Sequence, residues 1–541
     1  MATGQVSRRK LLRDGGLAIL GTGAALSGGW IAGGTRGAGG ILPSASAAAM
    51  TPARGGRLRV AQIGDPPTLD IMATTAVVTT NDAQGIFESL FTLDGDGNPQ
   101  PLLASGAQWS SDNLTLTLPL RTNVLFHNGA PMTAADVVAS LQRWLKLAPL
   151  GQSSASAVKG ITAEGSHTVV VQLNRPMGLL PTYIAAPNAM PAIMPRAIVE
   201  KYGDKPVQEW IGTGPFMFKE WKHDAYIRLA RWDKYAPANQ PAGGYGGRRV
   251  AYVDEIDIFA VPDANTRLAG MQSGQYDIGF SIPADQYAQV KATPSLSTAI
   301  LKPDSWFIFS LNKKARMFTN LKLRQAFRKA IDSKPIMEAA FGPQEFWSIA
   351  SPTIGYLAYE DDKTGADVFN HQDIPGAKAL LQEAGYNGTP LVWLTTKNYD
   401  WMYKGSLVAK SQLEAVGFKV DLQVLDWATV VQKRAQPEIY EVFQTGMGGA
   451  PAIPPAMDAF VSEKWPGFWS NPRKDEAMKK FESSVRLDDR KAAWSEVQRL
   501  FYDDVVAVKV GDFYEYYVLQ KNVQGFRPLD YPPYWNVWLA K

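Results

Sequence analysis

A chain of 541 residues exceeds the roughly 250–300 at which a single core stops growing, so two or more lobes are expected, and a composition 45% hydrophobic and 11% aromatic suits a globular protein. There is no cysteine, which excludes disulfides, thiolate catalysis and cysteine-ligated metal centres together, and the four histidines (His127, His167, His223, His371) are too far apart in sequence to form a local ligand motif. The positive charge sits at the start: residues 1–47 carry five basic residues against one acid, and removing them from the 55 basic and 51 acidic residues leaves 50 of each, a neutral remainder without the basic face that nucleic acid or an anionic membrane needs.

In chain order, Ser7-Arg8-Arg9-Lys10-Leu11-Leu12 precedes a weakly hydrophobic, Gly/Ala-rich run over residues 15–42. This resembles a twin-arginine export signal with small-residue cleavage positions after Ala47 or Ala49. Its glycines make a poor spanning helix, so removal is favoured over a retained anchor. No cysteine follows, so no lipid anchor is expected, and the destination is the periplasm.

The next part opens with a strand at residues 57–61 and the turn Pro66-Pro67-Thr68-Leu69-Asp70. Leu114, Leu116, Leu118 and Leu120 alternate with Thr115, Thr117, Pro119 and Arg121, the period of a half-buried strand, which Pro119 confines to an edge strand or edge position. A second strand at 124–127 stops at Asn128-Gly129, which favours a reversal. Thr133 then caps a helix, with Asp136 three residues on as in a capping box and Val137, Val138, Leu141, Trp144 and Leu145 on one face. Gly212-Thr213-Gly214-Pro215-Phe216 begins a strand pair, where the glycines shape a close turn and carry no phosphate-binding role. A strand over 254–259, a helix capped by Asp263, an aromatic strand over 306–312 and a helix over 321–331 follow. In that last helix Arg324, Arg328 and Lys329 are expected outside. From Asp373 the pattern is a parallel α/β unit, with strands at 391–395, 418–425 and 440–445 and a helix over 404–416, implying a right-handed crossover and a sheet covered on both faces. Helices near 475–487 and 490–502 precede separate strands at 505–510 and 513–519.

Quoted whole, the first of these pieces reads W-S-S-D-N-L-T-L-T-L-P-L-R-T-N-V-L-F-H-N-G-A-P-M-T-A-A-D-V-V. It resembles the signature of the family 5 extracellular solute-binding proteins of ABC importers, the group of dipeptide, oligopeptide, nickel, glutathione and opine binders. The resemblance is tightest over 57–145, 212–235, 263–278 and 306–331. The resemblance implies an α/β, two-lobe periplasmic-binding-protein-like fold with mixed sheets, a hinge between lobes and an extra subdomain on lobe one. The expected division is a signal over 1–47, lobe one over 48–300 with the subdomain at about 75–205, lobe two over 301–505, and a return to lobe one over 506–541. Crossovers near 298–312 and 502–512 then close the lobes on a ligand. The implied partners are a small organic ligand, either a peptide or a carboxylated solute, and an ABC permease with its ATPase subunits. A monomer without a cofactor is expected. A periplasmic chaperone or haem-type carrier is the alternative within binding.

Ligands of open parallel sheets bind beyond the carboxyl ends of the strands. Here those ends are residues 396–403, 426–427 and 446–450, which carry Lys397, Tyr399, Trp401, Tyr403, Trp427 and Met447. Aromatic faces with one lysine suit an organic anion or peptide. The candidate ligand contacts are therefore Trp306, Lys397, Tyr399, Trp401, Trp427 and Met447. Peptide binders of the family place an acid, in a loop corresponding to residues 444–451, against the peptide's amino group. This sequence has none there before Asp458, so a blocked-amine peptide or a carboxylated molecule held by Lys397 is expected, and a bare nickel ion is not. Among enzyme readings, Ser156 and Lys159 have the Ser-x-x-Lys form of serine acyltransferases, but the companion motifs are missing and no catalytic residue is expected.

Overall fold

The computed structural model describes residues 51–355, 357–448 and 459–541; the export-signal expectation lies outside them, as does the Gly-rich loop beyond Gly448. The main body is one sheet of 11 strands that runs through both lobes. In lobe one the chain lays down β1 (Arg57–Gln62) and then leaves the sheet. The excursion builds the pair β2 (Phe91–Leu93) and β3 (Pro99–Pro101). It also builds a four-stranded sheet of β4 (Gln108–Trp109), β5 (Thr115–Pro119), β6 (Val158–Glu164) and β7 (Thr168–Leu173) in the order β4-β5-β7-β6. The main sheet resumes with β8 (Phe216–Lys222), β9 (Tyr226–Arg231), β10 (Glu255–Ala260) and β11 (Ile278–Gly279).

Two long strands, β12 (Leu296–Leu311) and β17 (Ala507–Gln520), pair antiparallel and carry the sheet from one lobe to the other. The short β13 (Trp347–Ser348) pairs with β17 beside the crossing. In lobe two, β14 (Leu391–Thr396), β15 (Val420–Leu425) and β16 (Val442–Gly448) complete the path β15-β14-β16-β12-β17-β11-β1-β10-β9-β8. β14 runs parallel to both β15 and β16, as strand–helix–strand spacing requires. The β12–β17 register slips between Leu301 and Ser305 and again between Phe307 and Ile308. Such bulges bend a ladder and are where a crossing pair flexes most easily. Among the described residues, no helix is long and apolar enough to cross a membrane.

The helix Ala134–Leu147 shows why the signature folds as it does. Thr133 and Asp136 close a capping box, with Asp136 accepting from the Thr133 amide at 2.8 Å, and Val137, Leu141 and Trp144 are buried in the lobe-one core. Two signature blocks far apart in sequence meet in space. The His127 amide donates to the Gly212 carbonyl at 3.0 Å, and its imidazole bridges the Gly212 amide (3.3 Å to Nδ1) and the Gly214 carbonyl (3.0 Å from Nε2). A carbonyl can only accept, so Nε2 carries the proton and Nδ1 is the acceptor. Burial pushes the imidazole down to about 4, consistent with a neutral structural clip. A Cβ on Gly212 or Gly214 would stand 2.1 Å or 2.3 Å from the carbonyl oxygens of Ile86 and Gly85, which accounts for the glycines by close backbone approach.

Four expectations need correction. Residues 124–127 form no strand but an irregular hairpin with one bridge, Leu125 to Pro131, because Phe126 and Ala130 close a tight turn immediately. Pro119, by contrast, keeps the expected edge position: β5 lies between β4 and β7, but β4 ends short of Pro119, whose carbonyl accepts from the Ser105 amide at 2.8 Å. The expected strands at 505–510 and 513–519 are one, since Gly511 and Asp512 stay paired with Phe307 and Trp306. The helix expected from 404 begins at Asp400, placing Trp401 and Tyr403 on its first turn. Arg324 is buried, because its guanidinium satisfies the carbonyls of Phe318 (2.6 Å), Thr319 (3.3 Å) and Asp504 (2.9 Å).

Candidate ligand site

The carboxyl ends of β14, β15 and β16 face lobe one across the crossing strands, where the chain after β11 turns. At the end of β14, Asn398 ties two strand ends together: its amide takes the Thr396 hydroxyl (3.1 Å) and its Oδ1 accepts from the Trp427 amide (2.8 Å). Asp426 then caps the helix Trp427–Lys433 through the Thr429 amide at 2.9 Å. This clip sets Tyr399 edge-on to Trp427, ring centroids 5.4 Å apart, with Tyr399 exposed. Lys397 is exposed and holds its ammonium 4.6 Å from the centre of the Tyr403 ring.

Trp401, on the first turn of the helix Asp400–Val416, stands in an aromatic stack. Its ring lies 5.5 Å from Phe341 and 5.3 Å from Phe513, and Phe341 and Phe513 are themselves parallel at 4.7 Å. These rings form one wall of a cavity of about 290 Å³ bounded by residues 281–284, Phe341, Phe346, Trp401 and residues 513–516. That is at the lower edge of the roughly 300–1,000 Å³ of small-molecule sites. It draws on the chain before β12, on the chain between β12 and β17, and on β17 itself. A larger hollow of about 400 Å³ lies at the opposite, amino-terminal end of β16, beside Arg316 and Glu441, which already neutralise each other. The cavity beside Trp401 is therefore the better candidate, although Lys397, Tyr399 and Trp427 do not line it.

The other sequence-predicted residues lie elsewhere. Trp306 on β12 is fully buried and pairs across the ladder with Met447, itself buried. The Trp306 ring meets Phe460 at 5.5 Å and Phe501 at 6.2 Å, in the hydrophobic cluster on the far face from Phe307. The structure thus gathers Lys397, Tyr399, Trp401 and Trp427 at the strand ends and holds Trp306 and Met447 in the packing beneath. Ser156 and Lys159 are both exposed, with no hydrogen bond between them among the described residues.

Two residues went unnoticed in the sequence. Arg434 lies seven residues after Trp427, hence on the same helical face, and its guanidinium carbon sits 5.4 Å, 5.3 Å and 6.0 Å from the rings of Trp427, Phe443 and Trp465. Burial lowers its pKa from the ordinary arginine value. The i, i+7 spacing was the available signal. Glu515, on β17, lines the 290 Å³ cavity, and nothing in its local sequence marks it.

Comparisons agree with this architecture. Over 99% of this chain and 100% of its own, a probable peptide ABC transporter periplasmic-binding protein of Sinorhizobium fredii is 29% identical. Among solved structures, an ABC transporter substrate-binding protein of Listeria monocytogenes superposes with a TM-score of 0.77 at 21% identity, covering 90% of this chain and 100% of that one. The oligopeptide-binding protein of Bacillus subtilis in complex with a nonapeptide does so with a TM-score of 0.67 at 22% identity, covering 91% and 100%. The fold is the two-lobe binding-protein fold. Residues 98–467, well over half of the chain, match the bacterial extracellular solute-binding proteins, family 5, and the chain belongs to that family.

Proposed function

We propose that the protein captures a peptide or a related small carboxylated solute in the periplasm and delivers it, as a monomer, to an ABC permease and its ATPase subunits. The observation that carries this reading is the cavity beside Trp401, just past the end of β14, walled also by residues 281–284, Phe341, Phe346 and residues 513–516 of the bulged crossing pair. Closing such a crevice on a solute lets a permease tell loaded carrier from empty. In this reading lobe one spans 48–300 with its subdomain at about 75–205, lobe two 301–505, and 506–541 return to lobe one. The relative from Sinorhizobium fredii, matched over nearly the whole chain, supports both the peptide class and the compartment. No catalytic role is assigned, because a serine nucleophile needs a base within hydrogen-bond reach and Ser156 has no such bond to Lys159.

Lys397 is the proposed partner of the solute's carboxylate, with Trp401 or Trp427 stacking against its apolar part. Mass spectrometry of what co-purifies identifies the solute; calorimetry then compares wild type with Lys397→Ala. A loss of roughly tenfold is expected for one charge-assisted contact at an exposed residue. Equal affinity of the two proteins sinks the assignment of Lys397.

The export signal is read as twin-arginine. Replacing Arg8 and Arg9 together with lysine is expected to strand most of the precursor in the cytoplasm. Undiminished periplasmic yield on fractionation would refute that route, though not the destination.

A further inference from the structure

The 290 Å³ cavity holds a carboxylate as well as rings. Glu515 is accessible to solvent, lies in the ladder opposite Leu301, and has no ion-pair partner within 4.0 Å among the described residues. Lys302, next to the ladder partner of Glu515, holds its ammonium 5.2 Å from the centre of the Tyr514 ring.

The opposite wall is built to hold its shape. Ser281 adopts φ +51°, unusual for a residue with a side chain. Buried Arg267 fixes it there, donating to the carbonyls of Phe280 (3.1 Å) and Ser281 (2.7 Å) and, at the other end of its guanidinium, to Val261 (2.7 Å) and Pro262 (2.9 Å). Arg267 is thereby used up on backbone and does not neutralise Glu515. The Tyr516 hydroxyl pins the same turn through the Pro283 carbonyl at 2.8 Å. A strained backbone held by a dedicated side chain marks a wall whose position matters. A carboxylate with no ion-pair partner among the described residues, lining a cavity with aromatic faces, is the chemistry that receives an organic cation.

We propose that this cavity takes the positively charged end of the solute, an organic ammonium neutralised by Glu515 and packed against Phe341, Trp401 and Phe513. The proposal rests on the carrier reading and names the end of the solute that the cavity receives. It also revises the expectation drawn from residues 446–451: the acid missing from that loop is supplied by the crossing strand, so free-amine peptides are admitted.

The test uses the full mature chain, stripped of bound solute by partial unfolding and refolding. Native mass spectrometry screens a mixture of di- and tripeptides, the same mixture N-acetylated, and the non-peptide ammonium compounds choline, putrescine and agmatine. Calorimetry then follows the tightest binder. Ammonium-bearing compounds are expected to bind, acetylation to abolish binding of the peptides, and Glu515→Gln to weaken the tightest binder about a hundredfold with its melting temperature unchanged. Phe341→Leu is expected to weaken it several-fold, and serves as the second variant if Glu515→Gln does not fold. Acetylated peptides binding as well as free ones, or Glu515→Gln binding within twofold of wild type, overturns the proposal and leaves the carrier reading standing. If no compound binds and none co-purifies from cells, the carrier reading falls and the cavity assignment with it.

Discussion

Replacing Asp70 with alanine is expected to cost about 3–5 kcal/mol of folding stability, the range for breaking one partner out of a buried ion pair. Asp70 and Arg143 are almost without exposed surface and meet through two parallel contacts, 2.6 Å and 3.1 Å. The carboxylate also accepts from the amides of Val207 (2.9 Å) and Met72 (3.2 Å), while the guanidinium donates to the carbonyls of Gly203 (2.8 Å) and Lys205 (2.8 Å). One pair thus joins the loop after β1, the signature helix and the segment leading to β8. Without Asp70, Arg143 stays buried with its carbonyl contacts but no counter-charge. Equilibrium urea unfolding measures the loss, with Asp254→Ala as control: Asp254 is exposed and its half-buried partner Arg231 keeps Asp233, so less than about 1 kcal/mol is expected there. A loss at Asp70 no larger than the control's would show that the buried pair is not what holds these segments together.

That pair also shows how far the sequence could be read. Asp70 and Arg143 both lie inside family-like blocks, yet nothing local says that a turn aspartate meets a helix arginine 73 residues on. Periodicity named the strand and the helix because each is a local pattern: alternate leucines in β5, and Thr133 with Asp136 at the helix start. It failed where tertiary partners decide. Arg324 reads as a surface residue by helical period and is buried because the carbonyls of the preceding turn (Phe318 and Thr319) and of distant Asp504 need donors. Gly511-Asp512 reads as a break and is continuous because β12 pairs through it. At the site, Trp401 was legible since it follows a strand end directly. Phe341, Phe513 and Glu515 were not, because they come from a helix end and the crossing strand and become neighbours only when both lobes are assembled. The missing acid of the 446–451 loop was a local absence answered from another element.

Valine in place of Gly178 is expected to weaken solute binding by roughly 5- to 150-fold, the 1–3 kcal/mol of an overpacked contact, while leaving the melting temperature of the empty carrier nearly unchanged. A Cβ at residue 178 would stand 1.8 Å from the Ser484 carbonyl oxygen and 2.7 Å from the Val485 nitrogen, backbone atoms that no rotamer change moves aside. Gly178 belongs to the excursion from lobe one; Ser484 ends the helix Pro472–Ser483 of the second lobe as divided above. The surrounding contacts join the same segments. Arg175 lies 3.9 Å from Glu482, and Arg490 braces the turn from behind through the carbonyls of Ser484 (3.0 Å) and Val485 (2.7 Å) and the Tyr359 hydroxyl (3.1 Å). If this contact forms as the lobes close, a side chain at 178 penalises only the closed carrier. Binding then weakens, and small-angle scattering at saturating solute shows dimensions larger than those of the wild-type complex. If the contact is instead a permanent part of the fold, the empty variant should melt markedly lower and the saturated dimensions should match wild type, which would take residues 472–503 out of the moving lobe.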